Sequence, residues 1–165
     1  MGGLIMRGGR FSRLLAEIPV FAAAHVALTY ALPGISFGVL NIRVANALKG
    51  FIPRLGWGAV VGLTLGALIS NLISPVGLLD LLSVPIAFAA NTLILLLSRV
   101  RMWLGFIPNW LIFTLWLSWL VGGFAGIPFH AMLVIMAPQI FVSHFILPVI
   151  VMYAFEKFYP AVRGR

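Results

Sequence analysis

The chemistry open to this 165-residue chain rests on a short inventory: three carboxylates (Glu17, Asp80 and Glu156), three histidines and no cysteine. Without cysteine there is no disulfide, no thiolate metal site and no Cys nucleophile. His25, His130 and His144 lie far apart, and no HExxH-like spacing makes a metal centre. No GxxxxGK[ST] loop occurs, so the chain does not hydrolyse ATP by itself. No Ser/His/Asp set or paired carboxylates point to hydrolysis, and no cofactor is implied. What remains is recognition chemistry: polar side chains set in apolar sequence. Arg43 and Asp80 are opposite in sign. Asn41, Arg43 and Asn46 follow at spacings of two and three, which can place them on one side of a helix. Asn71 and Ser74 close one apolar run, while Asn91 and Gln139 lie deep in two others.

The elements that must position these residues follow from composition. The chain is 62% hydrophobic and 8% charged, with a mean hydropathy of +1.14. A soluble domain carries about 25% charged residues, so neither an ordinary soluble enzyme nor a disordered chain fits. A spanning helix needs about 20 apolar residues. Breaks at Gly, Pro and charge predict six spans, 14–33, 37–53, 56–73, 78–98, 103–123 and 129–155, within one integral membrane domain, 1–165. The first run lacks a clean small-x-small cleavage site and reads as a span, not a signal peptide. The fold class is therefore an all-α membrane protein, a bundle of six transmembrane helices.

Basic residues orient such a bundle. With the N-terminus inside, 10 of the 11 basic residues are cytoplasmic, Lys49 and Arg54 among them, and Arg43 alone lies across the membrane. Both termini are then cytoplasmic. The net charge of +8 is a topology charge that can also meet anionic lipid, and it forms no stripe for nucleic acid. Trp57 and Trp103 fall near inner helix ends. Glu17 stands four residues after Arg13 and Glu156 beside Lys157, both as local pairs at the inner mouth.

Under this topology Arg43 and Asp80 sit in the outer half. They form either a structural ion pair or the wall of a polar pocket open to the outside. Several amides in the same half suit a solute site better than a proton path, although a lone membrane Asn also serves to bond helices. Ala23, Ala27 and Ala31 on the first span, and Gly58, Gly62, Gly66 and Ser70 on the third, repeat every four residues. Such stripes let helices pack closely, within the bundle or, for the first span, against a partner subunit.

In order along the chain come Ser36-Phe37-Gly38, Arg43, Ala47-Leu48, Asn71-Leu72 and Gly77-Leu78-Leu79-Asp80, preceded by AAAHVAL over 22–28. This resembles the QueT family, substrate-binding S components of energy-coupling factor (ECF) transporters, which tend to read S-F-G-P-I-Q-F-R-I-S-E-A-L, a Gly-rich span ending A-N-L, then G-L-L-D. The resemblance implies a six-helix bundle that captures a small molecule outside the cell. It also implies a transmembrane coupling subunit, met through Ala23 and Ala27, and two cytoplasmic ATPases. The family is associated with deazaguanine precursors of queuosine. The implied site is Asn41, Arg43, Asn46, Asn71, Asp80 and Gln139, with Asp80 accepting the two adjacent N–H donors of a guanine edge. Where the family has Gln, Ser-Glu and Gly-Glu, this chain has Asn41, Ala45-Asn46 and Pro138-Gln139. Loss of those carboxylates argues against a cationic aminomethyl base and for a neutral base such as cyano-deazaguanine. Another vitamin on the same architecture, or a membrane scaffold whose polar groups only bond helices, are the other readings.

Overall fold

Backbone N–H and C=O groups in an apolar setting must find partners within the chain, and helices supply them locally. A computed structural model describes residues 2–36, 41–74 and 77–163, with side chains between 12 and 158 of these. Among them every regular element is helical: α1 (Gly2–Ala31), α2 (Pro33–Ser36), a 3₁₀ segment (Val44–Phe51), α3 (Ile52–Leu55), α4 (Trp57–Asn71), a second 3₁₀ segment (Gly77–Leu82), α5 (Ser83–Leu97), α6 (Phe106–Ala125), α7 (Phe129–Phe141), a π segment (Val142–Ile146) and α8 (Leu147–Arg163).

Four described segments, not six, are long and apolar enough to cross a membrane: Ser12–Ala31, Gly77–Leu97, Phe106–Ala125 and Phe129–Phe158. α4 is apolar but has 15 residues, short of the about 20 that a straight crossing takes. The expected helix over 37–53 is corrected. Its first four residues lie outside the described ones, residues 41–43 have no helical structure, and Arg43 is extended before the 3₁₀ segment. Phase explains the choice. Arg43, Asn46 and Lys49 are three residues apart. An α-helix drifts by about 60° at each such step, whereas a 3₁₀ helix keeps all three in line. Pro53 at the start of α3 and Gly56, at φ 71°, then turn the chain into α4. A side chain at that positive φ is strained.

The interior holds many polar side chains, and large apolar ones cover much of the exterior. His25, Asn46, Lys49, Asn71, Asp80, Asn91, Asn109 and His144 are buried, while Ile73, Leu78 and Val134 are each more than 70% exposed. That inversion suits a lipid surround, where apolar side chains face out without cost and polar ones pair inside. Two apolar clusters frame the polar interior. One is built on Phe21, Ile52, Val60, Leu63, Ile94, Phe106 and Met152. The other is built on Ala87, Ala90, Phe113, Leu117, Met132, Met136 and Ile140.

α1 packs on α4 along the glycine stripe. Gly58 lies against Glu17, a Cβ on Gly62 would stand 2.7 Å from the Ile18 carbonyl, and one on Gly66 would stand 2.6 Å from His25 Cβ. Only glycine permits this approach. The contacts rise in the same order on both helices, so α1 and α4 run parallel and the chain returns before α4, in part through the 3₁₀ segment Val44–Phe51. Extended and 3₁₀ backbone rise about 3.3 and 2 Å per residue against 1.5 Å in an α-helix, so few residues make that return. Gly50 in the 3₁₀ segment lies against the Pro148 carbonyl of α8, with no room for a side chain. Ala23, Ala27 and Ala31 lie on the other side of α1, exposed.

Candidate functional site

The site begins with backbone that cannot satisfy itself. Asn41 to Arg43 lie outside any helix, so their backbone polar groups need partners elsewhere. The Asn41 N–H donates to Gln139 Oε1 at 2.6 Å and the Ile42 N–H to the Ile35 carbonyl at 3.0 Å. The Arg43 carbonyl accepts from Ser143 Oγ at 3.1 Å. This anchoring aims the Arg43 side chain across the bundle.

There the guanidinium makes two charge-assisted bonds. Nη1 donates to Asn71 Oδ1 at 2.8 Å and Nη2 to Asp80 Oδ2 at 3.1 Å. Asp80 Oδ1 accepts from Ser83 Oγ at 3.0 Å, and Ser83 Oγ accepts from Trp116 Nε1 at 2.7 Å. Asn71 Nδ2 donates to the Asp80 carbonyl at 2.9 Å. The end of α4, the Gly77–Leu82 turn, α5 and α6 are thus tied to Arg43. The Asp80 side chain is 3% exposed, so this pair lies where hydrogen bonds are strong and unpaired charge is costly.

A second polar cluster lies along the 3₁₀ line. Lys49 Nζ donates to Asn109 Oδ1 at 3.2 Å, lies 3.1 Å from His144 Nδ1, and stands 4.4 Å above the Phe113 ring. Asn46 Nδ2 is 3.0 Å from both Ser143 Oγ and His144 Nε2. The π segment that carries Ser143 and His144 follows from Pro148, which has no N–H to offer the carbonyl four residues before it. That carbonyl, on His144, accepts from Asn109 Nδ2 at 2.8 Å instead.

Between the clusters is a cavity of about 30 Å³, walled by Leu63, Ala87, Phe113 and Leu117 and reached by both polar groups. Among the described residues, Asn41 Oδ1 and Asn91 Oδ1 on its wall are buried acceptors with no hydrogen-bond partner. The free volume is room for about two waters, so a ring-sized guest must push its walls apart.

The sequence pattern of the QueT transporter matches residues 15–157 of this chain. The chain belongs to the QueT transporter family. No curated protein and no solved structure matches it. A QueT transporter is a membrane protein that moves a small molecule, and the inverted polarity of this bundle agrees with that role.

In this QueT chain Asn41, Arg43, Asn46, Asn71 and Asp80 all reach the wall of the one cavity. Gln139 does not; it holds the Asn41 backbone and donates its own Nε2 to the Ile135 carbonyl at 3.1 Å. The ion pair and the pocket, weighed as alternatives, use the same atoms. Lys49 is corrected: counted among the inner basic residues, it is buried, 3% exposed, on the cavity wall. Its signal was the three-residue step from Arg43 through Asn46. His144 and His25 also line the cavity, and for His144 the signal was Pro148. Glu17 pairs with Arg13 at 2.6 Å as its spacing predicts. Glu156 takes Arg54 in place of any local partner.

Proposed function

We propose that this QueT transporter is the substrate-capturing S component of an ECF-type importer in the cell membrane. It takes a deazaguanine-like micronutrient from outside and passes it inward with a coupling subunit and two cytoplasmic ATPases. The observation that carries this reading is the buried cavity in which the Arg43–Asp80 pair meets two unpartnered amide oxygens between apolar walls. Asp80, Asn41 and Asn91 supply acceptors for the N–H edge of a base, Arg43 supplies a donor for its carbonyl, and the Phe113 and Leu117 walls suit the ring faces. Each carboxylate oxygen of Asp80 has lone pairs beyond those given to Arg43 and Ser83.

Purified full-length protein in detergent should melt at a higher temperature with 7-cyano-7-deazaguanine. At 100 times the dissociation constant the gain is about 2.7 kcal/mol. A shift with some other vitamin and none with either 7-cyano- or 7-carboxy-7-deazaguanine would remove the deazaguanine assignment. No shift with any small molecule would favour a scaffold.

The same proposal has six crossings, with α7 through α8 as the last and residues 32–56 as the second, and both termini cytoplasmic. Taking Lys49 out of the count leaves nine basic residues inside and Arg43 opposite. The parallel run of α1 and α4 supports this path. So do the Arg13–Glu17 and Arg54–Glu156 pairs, which lie at the end of the bundle where α4 begins. Tags at either end should be shielded from outside reagents on intact cells, and an accessible C-terminal tag would reverse the orientation of the site.

A further inference from the structure

We propose that the ligand of this cavity carries a carboxylate or an equivalent anionic acceptor, and that Lys49 holds it. The inference rests on the cavity being the transport site. It comes from a charge balance that the protein does not close by itself. The chain has three acidic side chains, and each is engaged by an arginine: Glu17 by Arg13, Asp80 by Arg43 and Glu156 by Arg54. No side-chain carboxylate is left for Lys49, although Lys49 is buried on the cavity wall. A buried ammonium is costly unless an anion meets it.

The neighbours of Lys49 are neutral, and they run short of acceptors. Asn46 Nδ2 and Lys49 Nζ face the two ring nitrogens of His144, and a neutral imidazole accepts at one of them only. The third face of the ammonium rests on the Phe113 ring, a weaker partner than a carboxylate oxygen. The rest of the cavity has the opposite need, since Asn41 Oδ1 and Asn91 Oδ1 lack donors. The cavity is therefore directional. It asks for N–H groups on one edge of the guest and for an anionic acceptor on another. A planar heteroaromatic acid with a guanine-like edge meets both demands. A base bearing an aminomethyl cation meets Lys49 and Arg43 with like charge.

The test compares each acid with its neutral amide on the full chain: 7-carboxy-7-deazaguanine against its carboxamide, and nicotinate against nicotinamide, by titration calorimetry and thermal shift. The acid of a pair should bind about tenfold or more tightly than the amide, as a charge-assisted bond replaces a neutral one. In Lys49→Met the acid preference should vanish while amide binding by the folded variant persists. Equal affinity of acid and amide in the unaltered protein overturns the inference and leaves the deazaguanine reading standing; this arm needs no variant to fold. An acid preference that survives Lys49→Met also overturns it. If nicotinate binds through Lys49 and neither deazaguanine does, the base assignment fails and the anion inference holds. If no acid binds, the inference is wrong.

Discussion

Asp80→Asn is expected to weaken binding of a guanine-like base by about 2–5 kcal/mol, the cost of removing one partner from a buried charged contact. The substitution keeps the shape of the side chain. It turns one of two acceptor oxygens into a donor, facing either the Arg43 guanidinium or Ser83 Oγ, which now bond those oxygens at 3.1 and 3.0 Å. Stability must be measured beside affinity, because the same change leaves Arg43 without its anion. Breaking a buried pair by losing one partner costs about 3–5 kcal/mol, whereas losing both charges together costs far less. The Arg43→Gln/Asp80→Asn double variant therefore separates the roles. Its melting temperature should recover towards that of the parent, and its affinity should not. A purely structural pair predicts that each folded single variant binds base at full strength. Full affinity in Asp80→Asn would end the guanine-edge assignment.

Ala27→Trp is expected to abolish uptake while leaving base binding intact. Ala23 and Ala27 lie exposed on the side of α1 turned away from α4, and small side chains at four-residue spacing allow a foreign helix to cross closely. If the proposed coupling subunit docks on this face, an indole there holds it at a distance without disturbing the cavity. Gly66→Leu is the control from the α1–α4 interface, on the opposite face of α1. A Cβ at Gly66 would stand 2.6 Å from His25 Cβ, so the fold itself should fail, and binding with it. Co-purification of a coupling subunit with the tagged chain, run beside thermal shift with the base, reads both effects. An Ala27→Trp chain that loses binding and folding together, or that supports full uptake, removes Ala27 from the partner surface.

What residue identity decides was legible. A chain with so few charges cannot cover a water-facing surface, so its class is a matter of composition. An ionisable group in an apolar run is expensive in any membrane fold. Arg43 and Asp80 therefore stand out from residue identity alone, and Asn71 adds a polar group near them in the expected topology. The Glu17–Arg13 pair was legible because an i,i+4 step on a helix is local geometry.

What depends on the phase of a helix, or on which chain segment comes to lie beside it, was not legible. Lys49 reads as an inner flanking charge if residues 37–53 are an α-helix that ends near it. With Val44–Phe51 wound as a 3₁₀ segment, Lys49 stands in line with Arg43 and Asn46 and on the wall of the cavity. Both windings satisfy the backbone, so the choice falls to packing. Gly50 against the Pro148 carbonyl and the Asn109–Lys49–His144 contacts select the tighter helix. Gln139 reads in sequence as a polar group deep in an apolar run, and only the fold brings its oxygen to the Asn41 N–H. The pairing of Glu156 with Arg54 and the opposite faces of α1 given to alanine and to the α4 glycines are also long-range facts. Spacing within one segment carries no information about its neighbour, and only the folded arrangement of α1, α4, α8 and the 3₁₀ line supplies it.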